Sequence, residues 1–270
     1  MKKAVLLCVT VALIAAGGYC FYRYYQSDVL PEKQLDEADE KQLELFERVK
    51  PSIPDNNTAD DSSTDDNNLL EAAEEVNDAI VAWLTIPGTH IDYPVCQAED
   101  NDFYLHNGFN GQYNYELGCP FLDYRCEADF SGFNSIVYAH HMTKQRMFAD
   151  INLFKDEAFF NGHNTGQLIL NNDVHTVQFF AYLNVYPTAP AYHAVFVMDS
   201  EKQEYLEYIE ETADYCLYST DELLDMYSTD EDDRDDRDDR DGFDNLHLLL
   251  LSTCTYEFDD ARGILVGVIE

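Results

Sequence analysis

The sequence is short of positive charge. Lys and Arg number 16 among 270 residues, against 53 Asp and Glu, so the formal charge is −37. A surface that negative repels phosphate, which argues against a nucleic-acid partner. It equally disfavours docking on anionic lipid through a basic face. Zinc-ligand spacing is missing too: there is no Cys-x-x-Cys and no matching Cys/His pattern, so no metal is expected from the cysteines. Seven cysteines are present. Cys8 and Cys20 lie in or beside the one long apolar run, and the remaining five, an odd number, leave at least one thiol free or paired between chains. Cys119 and Cys126 flank an expected strand that would hold them ~23 Å apart, too far to bridge. What is plentiful is apolar and aromatic: 46% hydrophobic residues, with 19 Tyr and 16 Phe. A chain of that composition builds a core, and global disorder is excluded.

The single long apolar run, Ala4–Tyr22, is interrupted only by Thr10, Gly17 and Gly18. As a helix it would measure ~28 Å, near the hydrocarbon thickness of a bilayer. Lys2 and Lys3 precede it, and Tyr19, Phe21, Tyr22, Tyr24 and Tyr25 resemble an interfacial aromatic belt at its other end. The expectation is an uncleaved signal anchor over residues 1–26: a single pass through the cell membrane, N-terminus cytoplasmic, the rest extracellular. A cleaved signal peptide is the alternative, since Ala15, Ala16, Gly17 and Gly18 offer small residues for cleavage. Tyr19 before Cys20 is too large for a lipoprotein signal.

Residues 27–68 read as an acidic flexible stalk. Within it, Leu35, Leu43, Leu45, Phe46 and Val49 suit a short amphipathic helix over Gln34–Lys50, stopped by Pro51 and Pro54. Asp55–Asn68 contains only Asp, Asn, Ser, Thr and one Ala, a spacer composition. Globular order is expected over 69–270. Leu69–Ala82 has helical spacing. From Trp83 the pattern becomes short strands separated by Gly, Asn and Asp turns, ending with Leu246–Thr253 and Gly263–Ile269. That is the signature of a closed or partly closed β-barrel, mostly β with added helices at Ile151–Phe160 and Ser200–Tyr218. Asp230–Asp241 reads DEDDRDDRDDRD, nine acids and three Arg. It reads as a solvated insertion. Calcium is the alternative, because carboxylates suit that ion, although the Gly turn and terminal Glu of an EF-hand loop are missing.

Cys254 stands apart from the other cysteines. It ends the apolar strand Leu248-Leu-Leu-Leu-Ser-Thr-Cys254, and polar residues follow at once. A side chain at a strand end faces a rim or cleft, where reacting groups are commonly placed. Acidic neighbours disfavour a thiolate, so a reactive Cys254 needs cations nearby. His140 and His141 end the strand Ser135–Tyr138, and Arg262, the one basic residue in the final 29, opens the last strand.

Taken in order, these motifs resemble the class B sortases, cysteine transpeptidases of Gram-positive cell surfaces. The likeness runs over roughly Asp78–Ile269. It rests on Trp83–Val95, Asp100-Asn-Asp-Phe-Tyr-Leu105, Phe121-Leu-Asp-Tyr-Arg125, Val137-Tyr-Ala-His-His-Met142, Met147-Phe148 and Phe154–Phe160, then Leu251-Ser-Thr-Cys254, Tyr256-Glu-Phe258 and Arg262. The resemblance implies a sortase-like closed barrel with an N-terminal helix and a long helix before the cysteine strand. It implies Cys254 as nucleophile, His140 (rather than His141) as acid/base and Arg262 as transition-state stabiliser, with Ser252 and Thr253 contacting substrate. No cofactor is implied. The partners would be secreted proteins bearing a C-terminal sorting signal of NPxTN or PxTG type, cleaved at Thr, and an amine on a lipid-linked wall precursor or a pilin. The chain departs from the family in having Leu250 where Thr is common, Ala139 where Gly is common, and the Asp/Arg insertion. Two rival readings remain. A surface cysteine protease or peptidoglycan hydrolase is disfavoured because His140 precedes Cys254. A non-catalytic acidic, calcium-binding module is disfavoured by the intact Cys254, His140 and Arg262.

Overall fold

The Leu-rich run becomes strand β10, Leu248–Cys254, apolar towards both faces and buried along its length until the exposed Cys254. Strands of that kind sit inside sheets rather than at edges, and β10 does. It runs antiparallel to β11 (Arg262–Ile269) and parallel to β4 (Asn134–Tyr138). From β4 the sheet continues through β3 (Phe121–Leu122), β2 (Asp92–Gln97), β1 (Ile80–Thr85), β7 (Thr165–Ile169) and β8 (Val174–Val185). β8 then pairs with β11, which closes an eight-stranded barrel. A short hairpin, β5 (His141–Met142) with β6 (Arg146–Met147), projects after β4, and β9 (Tyr215–Cys216) adds to β8. This is a computed structural model that describes residues 2–53, 68–227 and 243–270, with side chains described at Thr10 and from Leu13 onward. The spacer at 54–67 and the acidic insertion at 230–241, with its calcium alternative, fall outside the described residues.

Three expectations change. Among the described residues no helix is long and apolar enough to cross a membrane. That overturns the single-pass anchor, the membrane contact through the N-terminal helix and the cell-membrane location. Helix α1, Lys2–Tyr24, does not stop at the end of the apolar run but passes through a π-helical turn, Tyr25–Val29, into α2, Leu30–Val49. The helical spacing of Leu69–Ala82 yields only α3, Glu71–Glu74, before β1 begins at Ile80. Ile151–Phe160 divides into a 3-10 segment, Ala149–Lys155, and α5, Glu157–His163. Between them Asp156 leaves helical geometry and its carboxylate accepts from the Phe159 N–H. The long helix before the cysteine strand is α6, Asp199–Thr212, which buries Tyr205, Leu206 and Ile209. Among the described residues two further α-helices are α4 (Phe103–His106) and α7 (Thr220–Tyr227).

Helix α2 extends the packed unit upstream of Leu69. Phe46 and Val49 are buried with the barrel core. The Phe46 ring meets Trp83, Tyr93 and Phe109 edge-on at 5.9, 5.8 and 6.0 Å between centroids. Trp83, the only tryptophan, is fully buried and donates its Nε1–H to Asp92 Oδ1 at 2.7 Å. Truncating a ring so enclosed leaves a cavity with three aromatic walls. Phe46→Ala should therefore cost about 3–5 kcal/mol in urea unfolding. A loss below about 1 kcal/mol would mean that α2 is a bystander to the barrel.

Candidate active site

The strand register assembles the site. Cys254 is directly opposite Arg262 in the antiparallel β10–β11 pair. In the parallel β4–β10 pair Ser252 sits beside Tyr138, and Ala139 N–H donates to the Ser252 carbonyl at 3.1 Å. His140 lies two residues past the end of β4, just beyond this last paired position. Directly opposite residues of an antiparallel pair project to the same face of the sheet, so Cys254 and Arg262 share one face. His140, Cys254 and Arg262 line one cleft of about 370 Å³, together with Ser252, Thr253, Tyr138 and Asn101. The five residues expected from the sequence are thus brought together.

Each is held differently. His140 Nε2 lies 2.8 Å from the Leu105 carbonyl, which can only accept. The proton of a neutral ring is therefore on Nε2, and Nδ1 is left to exchange a proton. Phe148 N–H donates to the His140 carbonyl at 3.0 Å. Arg262 donates from Nη1 to the carbonyls of Asp260 and Ala261, both at 3.1 Å, and from Nη2 to Asp260 Oδ1 at 3.3 Å. Of its five N–H donors, one on Nε and one on Nη2 have no protein partner among the described residues. Thr253 Oγ1 is buried without a hydrogen-bond partner. Ser252 Oγ lies 2.8 Å from the Tyr192 hydroxyl.

That last contact opens onto a buried polar layer behind the cleft. Tyr192 stacks on Tyr138, with centroids 6.0 Å apart and planes 16° from parallel. Tyr138 Oη donates to Asp123 Oδ2 at 3.0 Å, and Asn101 Nδ2 donates to the same oxygen at 2.9 Å. Arg125 pairs with both Asp123 oxygens, at 2.8 and 2.7 Å. Burial pushes the Asp123 carboxyl up. The Arg125 guanidinium, the Arg125 backbone N–H and Asn101 outweigh it, so the carboxyl is held below the usual carboxylate range. Burial raises the Tyr192 phenol to about 12, so it meets Ser252 as a neutral hydroxyl. Tyr192 gave no signal in the sequence. Asn101, Asp123, Arg125 and Tyr138 lay inside the matching strings without an assigned role.

His141 faces elsewhere. Its Nε2 accepts from Asn152 Nδ2 at 2.8 Å, and Tyr256 packs on its ring edge-on at 5.2 Å. Cys254 and Cys20 are exposed, whereas Cys96, Cys119 and Cys126 are buried. Burial pushes the Cys119 thiol well up and the Cys126 thiol up to about 11, which makes both poor nucleophiles. All six described cysteines are free thiols. Among the described residues no group of His, Cys, Asp and Glu is arranged to hold a metal.

No protein-family model matches the chain. It is 31% identical over 151 residues to sortase B of Listeria monocytogenes, a match covering 56% of this chain. The matched stretch spans about 60% of that relative's length. The fold superimposes on Clostridium perfringens sortase B with a TM-score of 0.60 at 28% identity, covering 74% of this chain and 98% of the other. In sequence and in fold the chain is similar to class B sortases. Sortase B from Bacillus anthracis, at 23% identity, shares the fold with a TM-score of 0.66 over 88% of this chain and 98% of its own. The closed mixed barrel with its added helices is the sortase fold.

His141 carries a pH signature of its own. Burial lowers the proton affinity of His141 below its ordinary value of 6.5. The unfolded chain therefore binds a proton more readily than the native one, and stability rises with pH. His141 contributes stability that is present above about pH 6.5 and lost as pH falls through its native midpoint. An imidazole NMR titration should place that midpoint below the ordinary value, and His141→Gln should flatten the acid limb of the stability curve. An ordinary or raised midpoint would contradict this account of His141.

Proposed function

We propose that this chain is a cysteine transpeptidase that cleaves a C-terminal sorting signal at Thr and passes the acyl group to an amine. The observation that supports the reading is that Cys254, paired in register with Arg262, lines one cleft with Arg262 and His140. In this reading Cys254 gives its thiol proton to His140 Nδ1 as the sulfur attacks the threonyl carbonyl, and the carbonyl π electrons move onto oxygen. Arg262 donates its two unused N–H groups to that oxyanion, an interaction worth most where charge develops. The tetrahedral species collapses with loss of the peptide amine, which takes a proton from His140, and a thioester remains on Cys254. The incoming amine gives its proton back to His140 as it attacks the thioester. Cys254 leaves as thiolate, and a new amide is formed. Ser252, fixed by Tyr192, and Thr253 are the substrate contacts.

A sorting signal of NPxTN or PxTG type fits as donor, with a wall-precursor or pilin amine as acceptor. Several features support a transferase over the protease and calcium-module readings. His140 comes before Cys254 in the chain, and an Arg is paired to the cysteine's own register position. The Leu250 and Ala139 departures do not touch the reacting atoms: Leu250 is fully buried in β10, and Ala139 is pinned by its bond to Ser252.

The test is a variant panel on a sorting-signal peptide with an amine acceptor. Cys254→Ala should abolish turnover. His140→Ala should lower kcat/KM by about 10²–10⁴-fold, and Arg262→Lys, which loses the forked donor, by about 10²-fold. His141→Ala should stay within about tenfold of wild type, because that ring bonds Asn152 rather than lining the cleft. Turnover in Cys254→Ala, or loss confined to His141→Ala, would refute the assignment.

A further inference from the structure

Helix α2 grips the chain on both sides of His140. On one side stands Gln42, a polar residue only 7% exposed. Its Nε2 donates to the Gly118 carbonyl at 3.3 Å, and its Oε1 accepts from Asn114 Nδ2 at 2.9 Å. Asn114 in turn brackets Gly118: Nδ2 donates to the Gly118 carbonyl and Oδ1 accepts from the Gly118 N–H, both at 3.0 Å. Gly118 has a left-handed backbone, with φ of 70°. A β-carbon there would lie 3.1 Å from His140 Cδ2, 3.1 Å from the Leu105 carbonyl oxygen and 2.7 Å from the Tyr104 carbonyl oxygen. The bare α-carbon of Gly118 therefore forms the floor of the His140 ring, beside the carbonyl that fixes its tautomer. A second glycine makes room for Gln42, since a β-carbon on Gly108 would sit 2.6 Å from Gln42 Oε1.

On the other side, α2 holds the β5–β6 hairpin that follows His140. Asp36 pairs with Lys144 at 2.7 Å and with Arg146, and Asp39 lies 2.8 Å from Arg146 Nε. The Arg146 side chain is only 8% exposed, whereas Asp36 and Lys144 are open to solvent. Lys144, Gln145 and Met147 in that hairpin all have positive φ, conformations that need outside support.

We propose that α2 is the seat of the acid/base, with Gln42 a positioning residue that holds Gly118 under the His140 ring and so keeps Nε2–H on the Leu105 carbonyl and Nδ1 free for the reaction. This deepens the transpeptidase reading and rests on it for its kinetic consequence. Gln42 does not touch substrate; it acts through Gly118.

The experiment uses the full chain. Gln42→Leu keeps the buried volume and removes both hydrogen bonds, while Asn114 still bonds Gly118. The control is Phe46→Leu, one turn along the same helix, which loosens packing without touching Gly118. Each variant is measured for Tm, for kcat and KM with sorting-signal peptide and amine acceptor, and for the nitrogen-15 shifts of the His140 imidazole. Gln42→Leu is expected to lower kcat on the order of tenfold with KM within about twofold, and to shift His140 away from the Nε2–H tautomer. Phe46→Leu is expected to lower Tm and leave both unchanged. An unaltered His140 spectrum in Gln42→Leu, or a kcat loss that merely follows Tm as in Phe46→Leu, overturns the proposal. If the wild type does not turn over the peptide, the transpeptidase reading fails, and the imidazole spectrum, which needs no substrate, still decides whether Gln42 positions the ring.

Discussion

The site depends on one set of hydrogen bonds, the ladders that fix β10 between β4 and β11. Seven consecutive residue pairs join β10 to β11, and five join it to β4. Because side chains alternate along a strand, a slip of one residue in either ladder would turn a reacting group to the opposite face. The slip is opposed by burial: from Leu248 to Leu251 every side chain of β10 is out of water on both faces. The packing energy of four leucines thus sets the position of one exposed thiol. Closure of the barrel through β8 and β11 leaves neither of these ladders at an open edge.

Scarce positive charge is spent near this region. Arg125 is bound to Asp123, Arg146 to Asp36 and Asp39, Lys155 to Glu257, and Arg262 to Asp260. In a chain with 53 acids these pairs are the positions where a base holds loops against the barrel rather than floating over it. Arg262 is the exception in kind: it lines the cleft, and two of its donors have no protein partner among the described residues. Exposed pairs of this sort contribute little to stability. Their consequence here is geometric, since Glu257 and Asp260 lie in the loop that links Cys254 to Arg262.

Much of this was legible in the sequence. The Leu run ending in Ser-Thr-Cys marked β10, because an apolar stretch that stops at a small polar group is a strand reaching a rim. The helix expected over Ser200–Tyr218 is α6, which stops at Thr212 because Tyr215–Cys216 pairs with β8. Position at strand ends singled out Cys254, His140 and Arg262 as candidates, and the three line one cleft. Other features were hidden for physical reasons. Helical spacing at Leu69–Ala82 was overridden when Ile80–Thr85 found strands on both sides. The apolar run at the N-terminus gave the length of a span, whereas the helix built there continues into a charged one. Periodicity told which face of α2 is apolar but not that Phe46 would enter the barrel. Gln42 carries no signal at all: a glutamine on an acidic helix reads as solvated, and only the gap at Gly108 and the turn at Gly118 make it a buried partner.

The central claim, that Cys254 is the acyl carrier, is tested most directly by peptide mapping of the full chain quenched during reaction with a sorting-signal peptide. The account predicts an adduct whose mass is that of the fragment ending at Thr, attached to Cys254 and released by a nucleophilic amine with formation of the new amide. An adduct on another cysteine, or cleavage at Thr with no amine-sensitive adduct on Cys254, would contradict it.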